Sequence, residues 1–317
     1  MSDLGHVLVL AGGLSYEREV SLRSGRRVSE VLRAAGVDVE TRDTDASLVP
    51  SILADPPDAV FVTLHGGAGE DGAIRSILEL LNVPYVGADP DACRVAYDKP
   101  TAKAVVRSFG LRTPESVTLP KETFHDLGAS VVLTRIVEHL GLPLFVKPAR
   151  GGSALGASIV RTAEDLPAAM VGCFAYGDTA LVERCIEGVE VAVSVVDLGE
   201  GPVALPAVEI VPDEGVYDYA ARYTAGHTEF FAPARLSETA AAACAEMAVT
   251  AHSALGLRDI SRTDLIVDAE GLPHFLEVNV APGMTETSLL PMSVEAAGQD
   301  LGTLCRTLLQ SASHRRP

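Results

Sequence analysis

The sequence lacks tryptophan and has few aromatic residues and no excess of basic ones. Only 5% of the 317 residues are aromatic, and the formal net charge is -18 at pH 7. A surface that binds nucleic acid needs a positive field, so this balance argues against a nucleic-acid partner. Any phosphate ligand must be held by a few local cations and metal ions.

Cysteine pairs and long hydrophobic runs are also missing. The five cysteines are scattered, without a CxxC or a zinc-like spacing, so we expect reduced, mostly buried thiols in a cytoplasmic protein. No apolar run reaches the ~18 residues of a membrane span. The N-terminus has no basic segment of the kind that starts a signal peptide. We expect no membrane partner.

Two nucleotide fingerprints, GxGxxG and the Walker A loop, are absent. Strand and helix patterns alternate from residue 6 to residue 64 instead, including a helix from Ser15 to about Ala35, and this order predicts a parallel α/β sheet. Ligands of such sheets bind at the carboxyl ends of the strands, where residues 12–19 and 65–72 fall. Glu17 in the first loop could orient an ammonium group, or interact only with its helix dipole. In the second loop, His65 and Glu70 are either phosphate or substrate contacts or, on the alternative interpretation, residues of a turn and a helix cap.

Two lysines lie where an anion would be bound. The segment 89–92, AspProAspAla, looks like a boundary, and Lys99 follows near the start of a helix predicted from about Tyr97. Lys147 ends a buried strand that runs into the glycine-rich segment 150–157, which offers backbone N–H groups to phosphates. A glycine-rich hairpin with a surface lysine is the alternative. Further along, the extended segment 181–186 could pair with adenine, and Glu190 could accept from ribose hydroxyls.

Oxygen ligands lie on both strands of a hairpin predicted between Arg262 and residue 280. Glu277 and Asn279 are two residues apart and share a face, which Asp264 can join from the neighbouring strand. Two carboxylates and an amide carbonyl suit a hard cation such as Mg2+. After this hairpin, Gly283 can bring a backbone N–H close to a reacting centre. For any single carboxylate, a solvated acidic face is the better interpretation, but for the ordered set of Arg262, Asp264, Glu277, Asn279 and Gly283 it is not.

The stretch between Pro212 and Pro233 is predicted to be a long loop. It is rich in tyrosine and charge. An ordered loop of this length usually works as a lid, so we expect it to close over a site; disorder is the alternative.

With these segments in order, the chain resembles the D-alanine:D-alanine ligases of the ATP-grasp superfamily. The resemblance is carried by GGLSYEREVSLRSG, HGGAGEDG, YDKPTAK, FVKPARGGSALG, VERCIEGVE, YDYAARY, SRTDLIVD and FLEVNVAPGMTETSLLPM. It implies an ATP-grasp α/β fold, with an N-terminal Rossmann-like parallel-sheet domain at residues 1–92. Two α+β subdomains, at 93–186 and 187–317, would enclose ATP.

The resemblance also implies an activity. The enzyme would join two D-alanine molecules through an acyl phosphate, using ATP and two Mg2+ ions, with Mn2+ as the alternative ion, to make a peptidoglycan precursor. It would be a cytoplasmic homodimer. Two other hypotheses remain: an ATP-grasp ligase for another pair of amino acids, and a nucleotide-binding protein without catalysis.

Individual roles follow from the resemblance alone. The nucleotide would be held by Lys99, Lys147, Glu183, Arg184, Ile186, Glu190 and Arg222. The metal ions would be bound by Asp264, Glu277 and Asn279. Catalysis and substrate orientation would fall to Glu17, Ser153, Tyr223, Arg262, Gly283 and Ser288, with His65 and Leu289 as further substrate contacts. The chain departs from the family pattern at Arg75, Gly151, Ala154, Arg222 and Asp259.

Overall fold

In the computed structural model, the described residues are 4–213 and 226–315, and they form three β-sheets with helices packed against them. The first sheet is parallel, in the order β2-β1-β3-β4. Its strands are β1 (His6–Leu10), β2 (Asp38–Arg42), β3 (Ala59–Val62) and β4 (Tyr85–Val86), and its helices are α1 (Arg18–Ala34), α2 (Leu48–Ala54) and α3 (Ala73–Leu80). The continuous apolar runs of β1 and β3 are buried, as expected for strands covered on both faces. The predicted parallel sheet is confirmed.

Helix α1 begins at Arg18 and its N-cap residue is Glu17, so the prediction of Ser15 as the N-cap was wrong. The Ser15 hydroxyl accepts from the Glu17 backbone N–H at 3.1 Å and donates to the His65 carbonyl at 2.6 Å. Ser15 therefore joins the two loops at the carboxyl ends of β1 and β3, and the helix starts after it.

The second sheet is antiparallel, in the order β5-β8-β6-β7. Its strands are β5 (Ser116–Pro120), β6 (Leu144–Pro148), β7 (Ser158–Val160) and β8 (Thr179–Arg184). The helices of this region are α4 (Pro90–Tyr97), α5 (Lys99–Ser108), α6 (Lys121–Leu127), α7 (Ala129–Leu140) and α8 (Leu166–Phe174). Helix α4 begins in the segment 89–92, where the Asp89 carboxylate caps it by accepting from the Ala92 N–H at 2.8 Å.

The third sheet has the order β12-β11-β9-β13-β14, with β10 paired to β9. Its strands are β9 (Val189–Asp197), β10 (Pro202–Ala204), β11 (Val208–Pro212), β12 (Thr228–Phe231), β13 (Ile260–Val267) and β14 (Pro273–Asn279). The accompanying helices are α9 (Glu238–Ala254), α10 (Leu289–Ala296) and α11 (Leu301–Ser313).

Part of the predicted lid is strand. Residues 228–231 form β12, which pairs antiparallel with β11, so the prediction of a loop was wrong there. The two phenylalanines at 230 and 231 favour this pairing, since aromatic residues suit a half-buried pleated surface. Residues 214–225 lie outside the described part of the chain.

The C-terminal helices connect the first and third sheets. Leu304 and Leu308 of α11 share one apolar core with Val7 of β1 and Leu32 of α1, and Ile260 at the start of β13 belongs to the same core. This packing brings the loops after β1 and β3 beside the segment that follows β14. The domain boundaries expected at residues 92 and 186 stay predictions. In residues 4–213 and 226–315, no helix combines the length and apolar character needed to cross a membrane.

Candidate active site

The β13–β14 hairpin places its polar side chains opposite one another. Asp264 pairs with Glu277 and Arg262 with Asn279, as the alternation in sequence predicts. The register shifts after Asp264, and this bulge lets the consecutive residues Leu276 and Glu277 both line the same cavity. The three expected metal ligands therefore come from one hairpin.

Each of these ligand candidates has a defined neighbour. Both Asp264 oxygens accept from the Arg262 guanidinium, at 2.7 and 2.8 Å, and both side chains are buried. The Glu277 carboxylate lies 3.7 Å from the ammonium groups of Lys99 and Lys147. The Asn279 side-chain carbonyl accepts from the Ala281 N–H at 2.9 Å.

The donor chemistry of this hairpin fits magnesium. Within the described ranges, no three His, Cys, Asp or Glu side chains come together as a metal-binding group. The set here has two carboxylates and the amide oxygen of Asn279, which are the oxygen ligands that Mg2+ accepts, usually alongside waters and substrate phosphates.

A second carboxylate, Glu183 on β8, joins two lysines. Its Oε2 lies 3.0 Å from the Lys147 ammonium, and its Oε1 accepts from Lys103 of α5. Glu183 and Lys103 are almost fully buried. Burial and the neighbouring Lys147 ammonium lower the pKa of Lys103. Lys103 was missed from sequence, although it lies one helical turn after Lys99 and therefore on the same helix face.

A cavity of about 350 Å³ collects the expected nucleotide residues. Its lining includes Lys99, Lys147, Glu183, Arg184, Ile186, Glu190, Asp264 and Glu277. Phe145, Ile159, Ile266 and Leu276 add apolar walls that could enclose a flat base. The Arg184 guanidinium points to Glu115, 3.2 Å away. Arg222 lies outside the described residues.

The Glu17 carboxylate is held between two loops. It accepts from the Ser153 hydroxyl of the glycine-rich loop. A Cβ added at Gly66 would lie 2.4 Å from one Glu17 oxygen, and one at Gly152 would lie 3.0 Å from both. Side chains at these two positions would push the Glu17 carboxylate aside, and Gly66 also has a φ of 65°, a conformation that favours glycine. Tyr223, the third expected member of this group, lies outside the described residues.

A smaller cavity of about 60 Å³ adjoins Glu17. Its lining includes Glu17, His65, Glu70, Ser153, Arg262, Asn279, Gly283, Ser288 and Leu289. Within the described residues, the structure therefore places the expected catalytic and substrate residues around one cavity. These residues come from loops that lie far apart in the sequence.

Two titratable groups of the small cavity are shifted towards their neutral forms. Burial lowers the pKa of His65 to about 4, so its imidazole is neutral at pH 7. Burial and the nearby Glu17 raise the pKa of Glu70 to about 8, so its carboxyl retains its proton at neutral pH. The two His65 ring nitrogens lie 2.9 Å from Ser24 Oγ and 3.1 Å from the Ala281 carbonyl oxygen, so each nitrogen has a hydrogen-bond partner in the protein.

The segment after β14 packs tightly around Gly283. A Cβ there would lie 2.6 Å from the Ser288 oxygen, which itself accepts from the Thr285 N–H at 2.9 Å. The Leu289 side chain belongs to an apolar cluster with Val208 and Ile210. A ligand contact from Leu289 would therefore come from its backbone.

Comparisons with known proteins identify the family of the chain. The family model described as D-ala D-ala ligase C-terminus matches residues 105–310, and that of the D-ala D-ala ligase N-terminus matches residues 37–88. A D-alanine–D-alanine ligase from Anaeromyxobacter dehalogenans is 41% identical over 307 residues, which are 97% of this chain and 96% of that protein.

Solved structures show the same fold. The VanG D-Ala:D-Ser ligase from Enterococcus faecalis has a TM-score of 0.83 and 29% identity, over 98% of this chain and all of that one (100%). The D-alanine–D-alanine ligase from Bacillus anthracis in complex with ATP has a TM-score of 0.80 and 27% identity, over 98% and 96% of the two chains. The expected ATP-grasp α/β fold is confirmed, and the chain belongs to the D-ala D-ala ligase family.

Proposed function

We propose that this enzyme joins two D-alanine molecules to D-alanyl-D-alanine, a peptidoglycan precursor, while ATP is cleaved to ADP and phosphate. One hairpin carries the proposal because it lines both cavities: Asp264 and Glu277 face the larger, and Arg262 and Asn279 the smaller. A nucleotide in the first and an amino acid in the second would meet there. The relatives named D-alanine–D-alanine ligase, at about 40% identity over nearly the whole chain, support this assignment.

The nucleotide would bind in the larger cavity. Lys99 and Lys147 neutralise its phosphates, and Arg222 is assigned to the same task. Adenine lies in the apolar part, beside Arg184 and Ile186 at the end of β8, with Glu190 at the ribose. Glu183, which also lines this cavity, holds the Lys147 ammonium in place through the 3.0 Å contact.

Asp264, Glu277 and Asn279 would hold two Mg2+ ions, with Mn2+ as the alternative ion. When bound, these ions supply charge neutralisation to the phosphates. The chain contributes the oxygen ligands, and Lys99 and Lys147 beside Glu277 supply further positive charge at the same place.

The reaction begins with the first D-alanine. Its ammonium donates to Glu17, which is held by Ser153 and, in this proposal, by Tyr223. Its carboxylate oxygen attacks the γ-phosphate of ATP, ADP leaves, and an acyl phosphate forms while the two lysines balance the phosphate charge. This step makes a poor electrophile reactive.

The second D-alanine then attacks the acyl carbon through its amine. Its carboxylate lies at Ser288 and the Leu289 backbone. Arg262 and the Gly283 N–H donate to the oxygen of the tetrahedral intermediate, a kind of contact typically worth roughly 3 to 4 kcal/mol per donor. Phosphate leaves with the electrons of the broken C–O bond, it takes up the proton that the amine loses, and the peptide bond remains.

The direct test is ADP release with ATP, Mg2+ and a panel of single amino acids and pairs. D-alanine alone should support turnover, and a lack of turnover with D-alanine would contradict the proposal. A second candidate, ligation of D-alanine to D-serine, is suggested by the fold similarity to a D-Ala:D-Ser ligase structure at 29% identity. It predicts a higher kcat/KM when D-serine is supplied as the second substrate.

A variant of the hairpin tests the metal assignment. Glu277→Gln removes one carboxylate and should abolish turnover while the thermal unfolding curve stays close to that of the wild type. Mg2+ should also enhance ATP binding less, as measured by calorimetry. Glu270→Gln is the matched control, since Glu270 is exposed in the turn of the same hairpin. Retained turnover in Glu277→Gln would contradict the assignment.

We further propose that the enzyme is a cytoplasmic homodimer. The use of ATP and the free state of Cys93, Cys173, Cys185, Cys244 and Cys305 support the location. Light scattering tests the assembly, with an expected mass of twice 33.2 kDa; a monomer mass would contradict it.

A further inference from the structure

A chain of hydrogen bonds links helix α1 to the segment that carries Gly283. The Met284 N–H donates to Ser24 Oγ at 3.1 Å, and Ser24 Oγ lies 2.9 Å from His65 Nε2. His65 Nδ1 lies 3.1 Å from the Ala281 carbonyl oxygen. The two ends of the chain of bonds, Ala281 and Met284, flank Gly283 in sequence.

Elementary donor and acceptor rules give each bond one direction. The Ala281 carbonyl can only accept, so Nδ1 carries the imidazole hydrogen. With the pKa of His65 lowered to about 4, the other nitrogen is bare and accepts the Ser24 hydroxyl hydrogen. The Ser24 oxygen then accepts from the Met284 N–H. Every donor and acceptor in this series of hydrogen bonds has a partner, so each bond has only one possible direction.

Burial isolates these groups from water. Ser24 is 0% exposed, and His65, Ala281 and Met284 are each at most 5% exposed. Ser24 is absent from the lining of both the nucleotide cavity and the small cavity, so it touches neither substrate position. Any influence of Ser24 on the reaction must act through the backbone it holds.

We propose that Ser24 is a positioning residue that, together with His65, fixes the segment 281–284 so that the Gly283 N–H points at the reacting carbonyl oxygen. The inference rests on the oxyanion role proposed above for Gly283. A donor of this kind lowers the barrier only if it is oriented before the reaction, and a small displacement costs much of its effect. A hydroxyl on α1 would thereby control chemistry next to its hydrogen-bond partner Met284, which lies 260 positions away in sequence.

The test compares Ser24→Ala with Ser29→Ala. Ser29 is on the same helix, is equally buried, and bonds to Thr41 Oγ1 at 2.7 Å, away from the site. Both variants should lose similar stability. Only Ser24→Ala should lose kcat, on the order of tenfold, with an unchanged KM for ATP, since it weakens a contact made in the transition state.

Two further readouts separate positioning from general damage. Binding of a tetrahedral phosphinate analogue of the dipeptide should weaken in Ser24→Ala by about the same factor as kcat, while ATP affinity does not change. The double variant Ser24→Ala/His65→Gln should lose no more kcat than His65→Gln alone, because both substitutions break the same series of hydrogen bonds.

The outcomes are distinct. Equal kcat in the two serine variants, or independent losses in the double variant, would overturn the inference while wild-type ligation stands. Wild-type enzyme that fails to turn over D-alanine would instead overturn the proposed function. A tenfold kcat loss confined to Ser24→Ala supports the inference.

Discussion

Glu70 shows how one buried residue can make stability depend on pH. Its side chain is 6% exposed, in the small cavity that also contains Glu17. Burial and Glu17 raise the pKa of its carboxyl from 4.5 to about 8. The folded chain therefore keeps a proton that the unfolded chain loses above pH 4.5. The stability that this proton contributes is full below pH 4.5 and is lost as the pH rises through about 8.

Glu70→Gln should remove this dependence, because an amide has nearly the same shape and no charge. We expect the variant to gain stability relative to the wild type as the pH rises from about 5 to about 8, since each unit of pKa shift corresponds to about 1.4 kcal/mol. Urea denaturation at several pH values measures the difference. Glu19→Gln, at an exposed position of α1, is the control and should show no such trend. A difference that stays constant with pH would refute this account of Glu70.

Helix α5 and strand β8 are joined by one buried ion pair. Lys103 of α5 donates to Glu183 of β8, and each side chain is only 2% exposed. Since Lys147 shares the same carboxylate at 3.0 Å, the pair also orients a lysine of the nucleotide cavity. The helix that presents Lys99 is thus attached to the strand that ends at the cavity.

Replacing Lys103 tests the strength of this attachment. Lys103→Met removes a hydrogen-bond donor from the buried Glu183 carboxylate, and loss of one partner from a buried pair costs about 3 kcal/mol or more. The same change at Lys121, whose partner Asp178 is exposed, should cost about 1 kcal/mol or less. Chemical denaturation provides both values. Similar losses in the two variants would mean that burial adds nothing to the Lys103 pair.

The elements with local signals were predictable from sequence. Alternation placed Glu277 and Asn279 on one face, and the antiparallel register supplied Asp264 as expected. The partners missed from sequence depend on distant pairing: Lys103 meets Glu183 across 80 positions, and Ser24 meets Met284 across 260. Spacing rules describe neighbours on one element, so they carry no information about such contacts. The loop predicted at 228–231 was wrong because its strand character depends on the partner β11.

At the scale of the whole molecule, Asp259 ties the C-terminus to the first sheet. Its carboxylate accepts from the Gly87 N–H at 2.7 Å and from the Arg315 guanidinium at 2.5 and 2.6 Å. Arg315 also donates to the Tyr85 carbonyl of β4 at 3.1 Å. Asp259 has a φ of 64°, a conformation that favours glycine. The ion pair offsets the backbone strain.

A double-mutant cycle measures this tie. Asp259→Asn preserves the backbone conformation, since asparagine tolerates positive φ, and Arg315→Ala removes the other partner. We expect a coupling of about 1.5 to 3 kcal/mol in the free energy of unfolding. The exposed pair Arg94 and Asp91 should give a coupling below about 1 kcal/mol in the same experiment. Additive losses at Asp259 and Arg315 would show that the tie contributes nothing.

The pairing of buried carboxylates with cations in the two cavities has a consequence for folding. Asp264 is neutralised by Arg262, Glu183 by Lys103 and Lys147, and Glu277 lies beside Lys99 and Lys147. The polypeptide thus supplies its own counterions, and none of these charges is left isolated in a low-dielectric interior. The chain can therefore fold with these charges already paired, before a nucleotide binds.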